Sequence, residues 1–543
     1  MQLTRRKRQA VVALFAAASL TLAACGGSTE SKSDSAIISS KSTEPQNPLI
    51  PTNTTEVGGG NVIDFLFAGL VSYQVDGTPE NEMATSIEST DNVNWTIKIK
   101  PGWTFTDGTP VTANSFVDAW NFGAYSKNAQ LNSYFFEPIK GYAETSAKNA
   151  TVDALEGLKV VDDSTFTVEL NQPESDFPTR LGYTAYFPLP AVAYDDMKAY
   201  GENPIGNGPY KFAKKGAWEH NKQISLVTNP DYKGNRAPKN DGVTFVMYTS
   251  DDSAYTDVEA GNLDIIQEVP ESALENFMKS TDVQGISQPG SVFQSFTIPE
   301  RLEHFGNDEE GRLRRQALSE AIDRKTITEK IFFGSRTPAT DFGSPVLPGY
   351  SKDLAGGDVL EYNPENAKKL WAQADAIEPW SGTFKIAYNA DKDNKGWVDA
   401  TTNSIKNVLG IKSSGDPEAS FDNFRERITS RKIETAFRTG WQADYPSLYN
   451  YLAPLYASAA ADGAGSNDGD YKSKEFDAFL SKAASSDSDD ARIQNLQSAE
   501  GVLLKDLPSI PLWYENVSSA AALDVSNVKI NWKNVPEFVD IKK

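Results

Sequence analysis

The chain of 543 residues carries one cysteine, Cys25, and two histidines, His220 and His304. A single thiol excludes internal disulfides and cysteine-rich zinc sites. The two histidines lie far apart in sequence among polar neighbours, so they build neither a histidine metal cage nor an evident Ser-His-Asp triad, and both read as surface residues. Positive charge is scarce as well: 52 Lys and Arg against 74 Asp and Glu leave a formal charge of −22. A body that acidic does not bind nucleic acid or anionic lipid through its general surface. Walker-type phosphate loops, zinc-helix motifs and nucleophile elbows are missing, and the Gly58, Gly59, Gly60 run lacks a dinucleotide fingerprint. There is no fixed-period repeat, which excludes solenoids and propellers. The chemistry left is that of carboxylates, hydroxyls, amides and aromatic rings, and a carboxylate pair of the glycoside-hydrolase kind stays open.

What is present begins at the N-terminus. Arg5, Arg6, Lys7 and Arg8 lead into an apolar run over residues 10–24 that stops at Cys25. A basic segment before an apolar run of about 15 residues reads as a signal peptide, too short to span a bilayer. Leu22, Ala23, Ala24 and Cys25 resemble the bacterial lipobox, whose cysteine takes a diacylglycerol. Residues 1–24 are therefore expected to be a signal peptide and residues 25–44, rich in Gly, Ser, Lys and Asp, a flexible tether anchored through Cys25. The remaining length suits two or three lobes rather than one core. No second apolar run is long enough to cross a membrane. Eleven per cent aromatic residues with ten Trp fit either aromatic-lined pockets or large cores.

Strands and helices are mixed throughout. Trp95, Ile97 and Ile99 alternate with Thr96, Lys98 and Lys100, as in a half-buried strand, and Phe166, Val168 and Leu170 repeat that period. Residues 112–120 read as a helix with Phe116, Val117 and Trp120 on one face. Residues 312–331 predict one long helix stopped by Gly334, and residues 473–480 a second helical stretch. Around Asp444 the chain reads RTGWQADYP from Arg438. A carboxylate partly desolvated between Trp441 and Tyr445 favours a cationic amine; the structural alternative is a turn aspartate among core aromatics.

Several segments, in order, resemble the peptide-binding, or family 5, extracytoplasmic solute-binding proteins of ABC importers. Phe105 to Gly108 followed by TPVTANSFV at Thr109 is similar to the family's F-x-D-G-x-P-V-T-A-x-D-F-V; PIGNGPYKF at Pro204, NPDYK at Asn229, RQALSEAIDRK at Arg315 and WQADYP at Trp441 agree as well. Ser115 departs from the family's frequent Asp, a change that matters only for the start of a helix.

The resemblance implies an α/β fold of the periplasmic-binding-protein kind, type II, cluster C: a three-lobed Venus-flytrap built on mixed sheets. Carried over, residues 45–67, 192–292 and 516–543 form lobe I, 68–191 lobe II and 293–515 lobe III. It implies that Asp444 pairs with a peptide's α-ammonium group, that Trp441 and Gln442 line the same cleft, and that Arg438 stands near the ligand chain, with an ion pair at a hinge or between lobes as its alternative. Thr55, Glu56 and Val57 match a lobe I segment that touches ligand backbone. The function implied is capture of peptides, oligopeptides in particular, for ABC permease subunits served by cytoplasmic ATPase subunits, on the extracytoplasmic face of a bacterial membrane, by a monomer without catalysis, metal or cofactor. An opine, oligosaccharide or metal chelate as ligand, or a surface-tethered carboxylate-pair hydrolase, remain the alternatives.

Overall fold

Two long strands, Gln284–Thr297 and Ser509–Ala521, pair antiparallel from Gln284 opposite Ala521 to Thr297 opposite Ser509. Register shifts between Pro289 and Val292, and again between Gln294 and Ser295, bend the pair near its middle. The structure is a computed structural model and describes residues 36–543. The expected signal peptide, Cys25 and the first part of the expected tether lie outside the described residues.

The long pair joins two halves of one twelve-stranded sheet. On one side Ala436–Trp441 pairs with Gln284–Thr297, and the parallel strands Thr383–Asn389 and Lys412–Glu418 extend the edge. On the other side Ile265–Ile266 leads to Ile37–Ser42, Gly242–Met247, Gln223–Thr228 and Tyr210–Phe212. A separate four-stranded antiparallel sheet orders Ala84–Glu88, Asn94–Ile99, Thr165–Glu169 and Leu158–Asp162. Trp95, Ile97 and Ile99 point inward on it, as their alternation predicts. Helix Ala113–Ala124 packs Trp120 edge-on against Phe166 at 5.5 Å. At its start Ser115 Oγ accepts from the Thr112 backbone N–H at 3.1 Å, so the departure from the family's Asp keeps the capping contact.

One apolar core gathers Phe166 from the four-stranded sheet and Phe116 from the helix packed on it with Ile38 and Phe245 from the large sheet and Phe538 from the C-terminal segment. The segments expected as lobes I and II thus share a continuous core. A second core holds Phe296, Leu318, Ile386, Tyr451 and Trp513. Trp120 and Trp513 are fully buried in these cores, which is where the aromatic surplus goes.

Two expectations are corrected. The tether does not run to residue 44: Ile37–Ser42 is a strand inside the large sheet, parallel to Gly242–Met247 and bridged to Ile265 through Ser40. Its serines satisfy the buried sheet despite their polarity, since Ser39 N and Oγ both donate to Asp264 Oδ2, at 2.7 and 2.9 Å. The single helix over 312–331 is two, Glu309–Glu320 and Arg324–Lys330. Asp323 breaks it by capping the second helix, accepting from Thr326 N at 3.0 Å and Thr326 Oγ1 at 2.7 Å. The buried Arg324 guanidinium then holds the break through the carbonyls of Ser319, Leu360 and Pro511.

Candidate ligand cleft

A cavity of about 720 Å³ opens where the long strands, helix Val57–Leu66 and the turn after Ala436–Trp441 meet. That volume suits a ligand of several residues' side chains and main chain rather than a single ion. The helix enters the wall through Glu56, whose carboxylate caps it by accepting from Gly59 N at 2.9 and 3.0 Å. Neighbours crowd two of its glycines: a Cβ at Gly58 would stand 2.6 Å from the Thr43 carbonyl oxygen and one at Gly59 2.8 Å from Thr54 Cγ2, whereas Gly60 has open space. Thr55, Glu56 and Val57 all line the cavity.

Gln442 and Asp444 line it too, just past the end of their strand. Gln442 Nε2 donates to Ser291 Oγ at 2.8 Å, which ties the turn to the long strand. Asp444 N–H donates to Asn450 Oδ1 at 2.9 Å, fixing the residue's direction. Burial pushes the Asp444 carboxyl above its usual range, against the lowering effects of Asn450, Lys533 and Arg180. Of these cations, Lys533 also serves other groups: its Nζ lies 3.8 Å from Asp64 and 5.5 Å from the Tyr183 ring centre. A ligand ammonium placed at Asp444 would relieve that desolvation by pairing with it.

Trp441 and Arg438 are not in the cavity wall. Side chains alternate along Ala436–Trp441, so the strand turns Arg438 to one face and Trp441 to the other, and only the residues after its end reach the cleft. Trp441 Nε1 donates to the Asn450 carbonyl at 2.8 Å and the ring packs on the second core. Arg438 Nε donates to Asn389 Oδ1 at 2.6 Å, and its guanidinium stands over Phe424 and Phe421 at 5.4 and 5.6 Å. It is neither a cleft residue nor an ion pair between lobes. Tyr445 is fully buried, so the motif combines both readings of it: core aromatics flanking a cleft aspartate.

The sequence did not single out Arg336, Glu515, Ser518, Gln267, Glu268 and Lys533, all of which line the cavity. Arg336 Nη2 donates to Glu515 Oε1 at 2.6 Å. Its Nε, Gln267 Nε2 and Ser518 Oγ are buried without a hydrogen-bond partner. Buried polar atoms left unpaired inside a cavity mark it as built for a polar guest. Nothing local in the sequence could have exposed these residues, because four separate segments bring them together.

The histidines take no part. His220 is exposed, between Glu44 at 2.8 Å and Glu202 at 3.0 Å. The expectation that both are surface residues fails for His304, whose side chain is buried with Nδ1 2.7 Å from Glu310 Oε1. Glu303, His304 and Glu378 could together hold a metal ion, their ligand atoms lying within 4.8 Å of one another, but they are not part of the cavity wall.

Two cores joined by a pair of long strands, with a ligand-sized cavity where they meet, define a binding protein of the periplasmic-binding-protein fold. A profile of bacterial extracellular solute-binding proteins, family 5 (middle region), matches residues 78–463, and the chain belongs to that family. It is 26% identical over 535 residues to the oligopeptide-binding protein OppA of Bacillus subtilis, covering 94% of each chain. It is also 26% identical over 485 residues, 86% of each chain, to the probable deoxycholate-binding periplasmic protein YgiS of Escherichia coli. Among solved structures, the unliganded open form of the murein tripeptide-binding protein MppA superposes with a TM-score of 0.81 at 22% identity, covering 94% of this chain and 98% of that one. The family is one of extracellular binding proteins. No helix among the described residues is long and apolar enough to cross a membrane.

Proposed function

We propose that this protein captures peptides in the cavity and hands them to the permease subunits of an ABC importer, whose ATPase subunits lie in the cytoplasm. The observation that carries the reading is Asp444: a carboxylate with burial working against its charge, at the wall of a 720 Å³ cavity. There it pairs with the α-ammonium group of a peptide, while Gln442, Thr55, Glu56 and Val57 contact the chain. Peptide main chain can supply partners for Gln267 Nε2 and Ser518 Oγ without reading side chains. The protein binds and releases and carries out no reaction.

The bend in the long strand pair supports a hinge at that point, with lobe III spanning residues 293–515 closing on lobe I, formed by 45–67, 192–292 and 516–543, and on lobe II at 68–191. Strand Ile37–Ser42 then belongs with lobe I. Closure excludes water from the Asp444 ion pair and strengthens it. Cys25, carrying a diacylglycerol after cleavage of residues 1–24, holds a monomeric receptor at the outer face of the membrane beside its importer.

Native mass spectrometry of the purified chain tests the reading. Expected are adducts that fragment as peptides; adducts of a steroid, glycan or chelated metal would contradict it.

A further inference from the structure

The two histidines differ in what their ring nitrogens meet. His220 has an acid on each, Glu44 on Nδ1 at 2.8 Å and Glu202 on Nε2 at 3.0 Å, so both nitrogens are taken. His304 has one: Glu310 Oε1 lies 2.7 Å from Nδ1. That oxygen also accepts from Arg314 Nε at 2.7 Å, so Nδ1 must donate to it, and Nε2 of the neutral ring keeps a lone pair. Nε2 has no hydrogen-bond partner among the described residues, although the side chain is only 7% exposed. One ring nitrogen of His304 and one carboxylate oxygen from each of Glu303 and Glu378 lie within 4.8 Å of one another.

A single buried arginine positions both arms of this group. Arg314 fixes the histidine through Glu310, and it holds the end of helix Pro364–Ile377 by donating Nη1 to Asp375 Oδ1 at 3.0 Å and Nη2 to the Glu378 carbonyl at 2.5 Å. Its guanidinium is itself set over the rings of Trp371 and Trp380, at 4.7 and 5.4 Å, and Trp380 packs on the His304 ring at 5.3 Å. A well-held carboxylate behind one imidazole nitrogen is the outer support of a metal-ligating histidine: it fixes the ring and raises the basicity of the other nitrogen. The side chains of Glu303 and Glu378 are exposed and make no ion pair or hydrogen bond among the described residues, so they can turn onto an ion. The carboxylates of Glu303, Glu310, Asp375 and Glu378 stand against one guanidinium, an excess of negative charge that favours a cation.

We propose that His304 Nε2 and the carboxylates of Glu303 and Glu378 bind a zinc ion, which clips the loop before helix Glu309–Glu320 to the end of helix Pro364–Ile377. One imidazole with two carboxylates is a donor set for a borderline divalent ion, whereas calcium and magnesium take oxygen ligands throughout. Three protein ligands leave the fourth tetrahedral position to water. The site shares no residue with the peptide cavity, so the ion is a fixture of the fold and not cargo.

The test is calorimetric titration of the purified, tag-free chain with zinc chloride, with magnesium in excess to occupy scattered surface acids. Expected is one zinc ion per chain and a rise in melting temperature with added zinc. The variant with both Glu303→Gln and Glu378→Gln should bind zinc about tenfold or more weakly, since losing an outer partner of a metal ligand alone costs about 10–100-fold, and its melting temperature should no longer respond. Both side chains are exposed and Arg314 holds only the Glu378 carbonyl, so this variant should melt like the unaltered protein when zinc is absent. His220→Gln should keep the site. Absence of stoichiometric zinc binding, binding that survives the double substitution, or binding lost with His220→Gln overturns the proposal, and each of these leaves peptide capture untouched.

Discussion

The guanidinium of Arg180 lies 4.9 Å from the centre of the Tyr445 ring, directly beside the cleft aspartate in sequence. Arg180 comes from the segment 68–191 and Tyr445 from 293–515, so the contact joins the two sides of the molecule next to Asp444. Arg180 Nε also donates to Glu174 Oε1 at 2.7 Å, and both side chains are largely buried. A buried pair of this kind is costly to break, because the remaining charge has no water to turn to.

Arg180→Met is therefore expected to lower stability by about 3 kcal/mol or more, since Glu174 loses its partner. Adding Glu174→Gln should recover part of the loss. Thermal melting of the two single variants and the double variant measures the coupling; additive losses would show that the pair contributes nothing jointly.

The same substitution shifts the pH dependence of ligand binding. Burial raises the Asp444 carboxyl, and Arg180 is one of the cations that pull it back down. Only the deprotonated form pairs with an ammonium group, so affinity is expected to fall as pH drops through the raised Asp444 value. Without Arg180 that fall should begin at higher pH. Dissociation constants for one free-amine peptide between about pH 4 and 8, a span that brackets a raised carboxyl, provide the check.

Asp341 and Glu500 form a buried pair of acids. Neither oxygen of Glu500 finds a donor in the protein, so a carboxyl proton shared with Asp341 must supply one. Burial pushes Asp341 up to about 6, and burial together with Asp341 holds Glu500 well above the ordinary glutamate range. Acids whose folded values are raised add stability that is complete below their unfolded values, about 4, and lost as pH rises through the folded ones. Glu500→Gln brings an amide N–H donor that does not titrate. It should stabilise the protein by about 1–3 kcal/mol at pH 8 and by almost nothing at pH 4, each pKa unit being worth about 1.4 kcal/mol. Melting temperatures of both proteins across that range decide it.

Glycine substitutions separate crowding from freedom. A Cβ at Gly208 would stand 2.5 Å from the Phe65 carbonyl oxygen and the Phe67 nitrogen, backbone atoms that cannot move aside. Gly208→Ala is expected to destabilise by about 3 kcal/mol or more, the upper end for overpacking. Gly501, inside helix Asp489–Asp506, has open space around it. Gly501→Ala should stabilise by about 0.5–1 kcal/mol, and the two melting curves should move in opposite directions.

These residues show which parts of the molecule were legible in the sequence. The motif around Pro204 was readable because close packing at Gly206 and Gly208 imposes it: a Cβ at Gly206 would meet the Leu66 carbonyl oxygen at 1.9 Å. Asp444, Gln442, Thr55, Glu56 and Val57 were legible through local motifs, and all five line one cavity. Arg438 and Trp441 were misplaced because a motif carries no face, whereas a strand assigns alternate residues to opposite sides. Strand Ile37–Ser42 was hidden because a strand flanked on both edges can hold serines where the sheet supplies their partners. Arg336, Glu515 and Ser518 left no local signal, since long-range strand pairing alone brings them to the cavity.

Asp444 is the group proposed to receive a peptide's terminal ammonium group. The direct measurement of that pairing is titration of one peptide, with free and with acetylated amino terminus, into the unaltered protein and into Asp444→Ala. Expected is a loss of about a hundredfold or more for the free amine on substitution, a charge-assisted bond to a desolvated partner being worth about 3 kcal/mol, with a far smaller change for the acetylated peptide. Equal losses for both peptides would contradict the assignment.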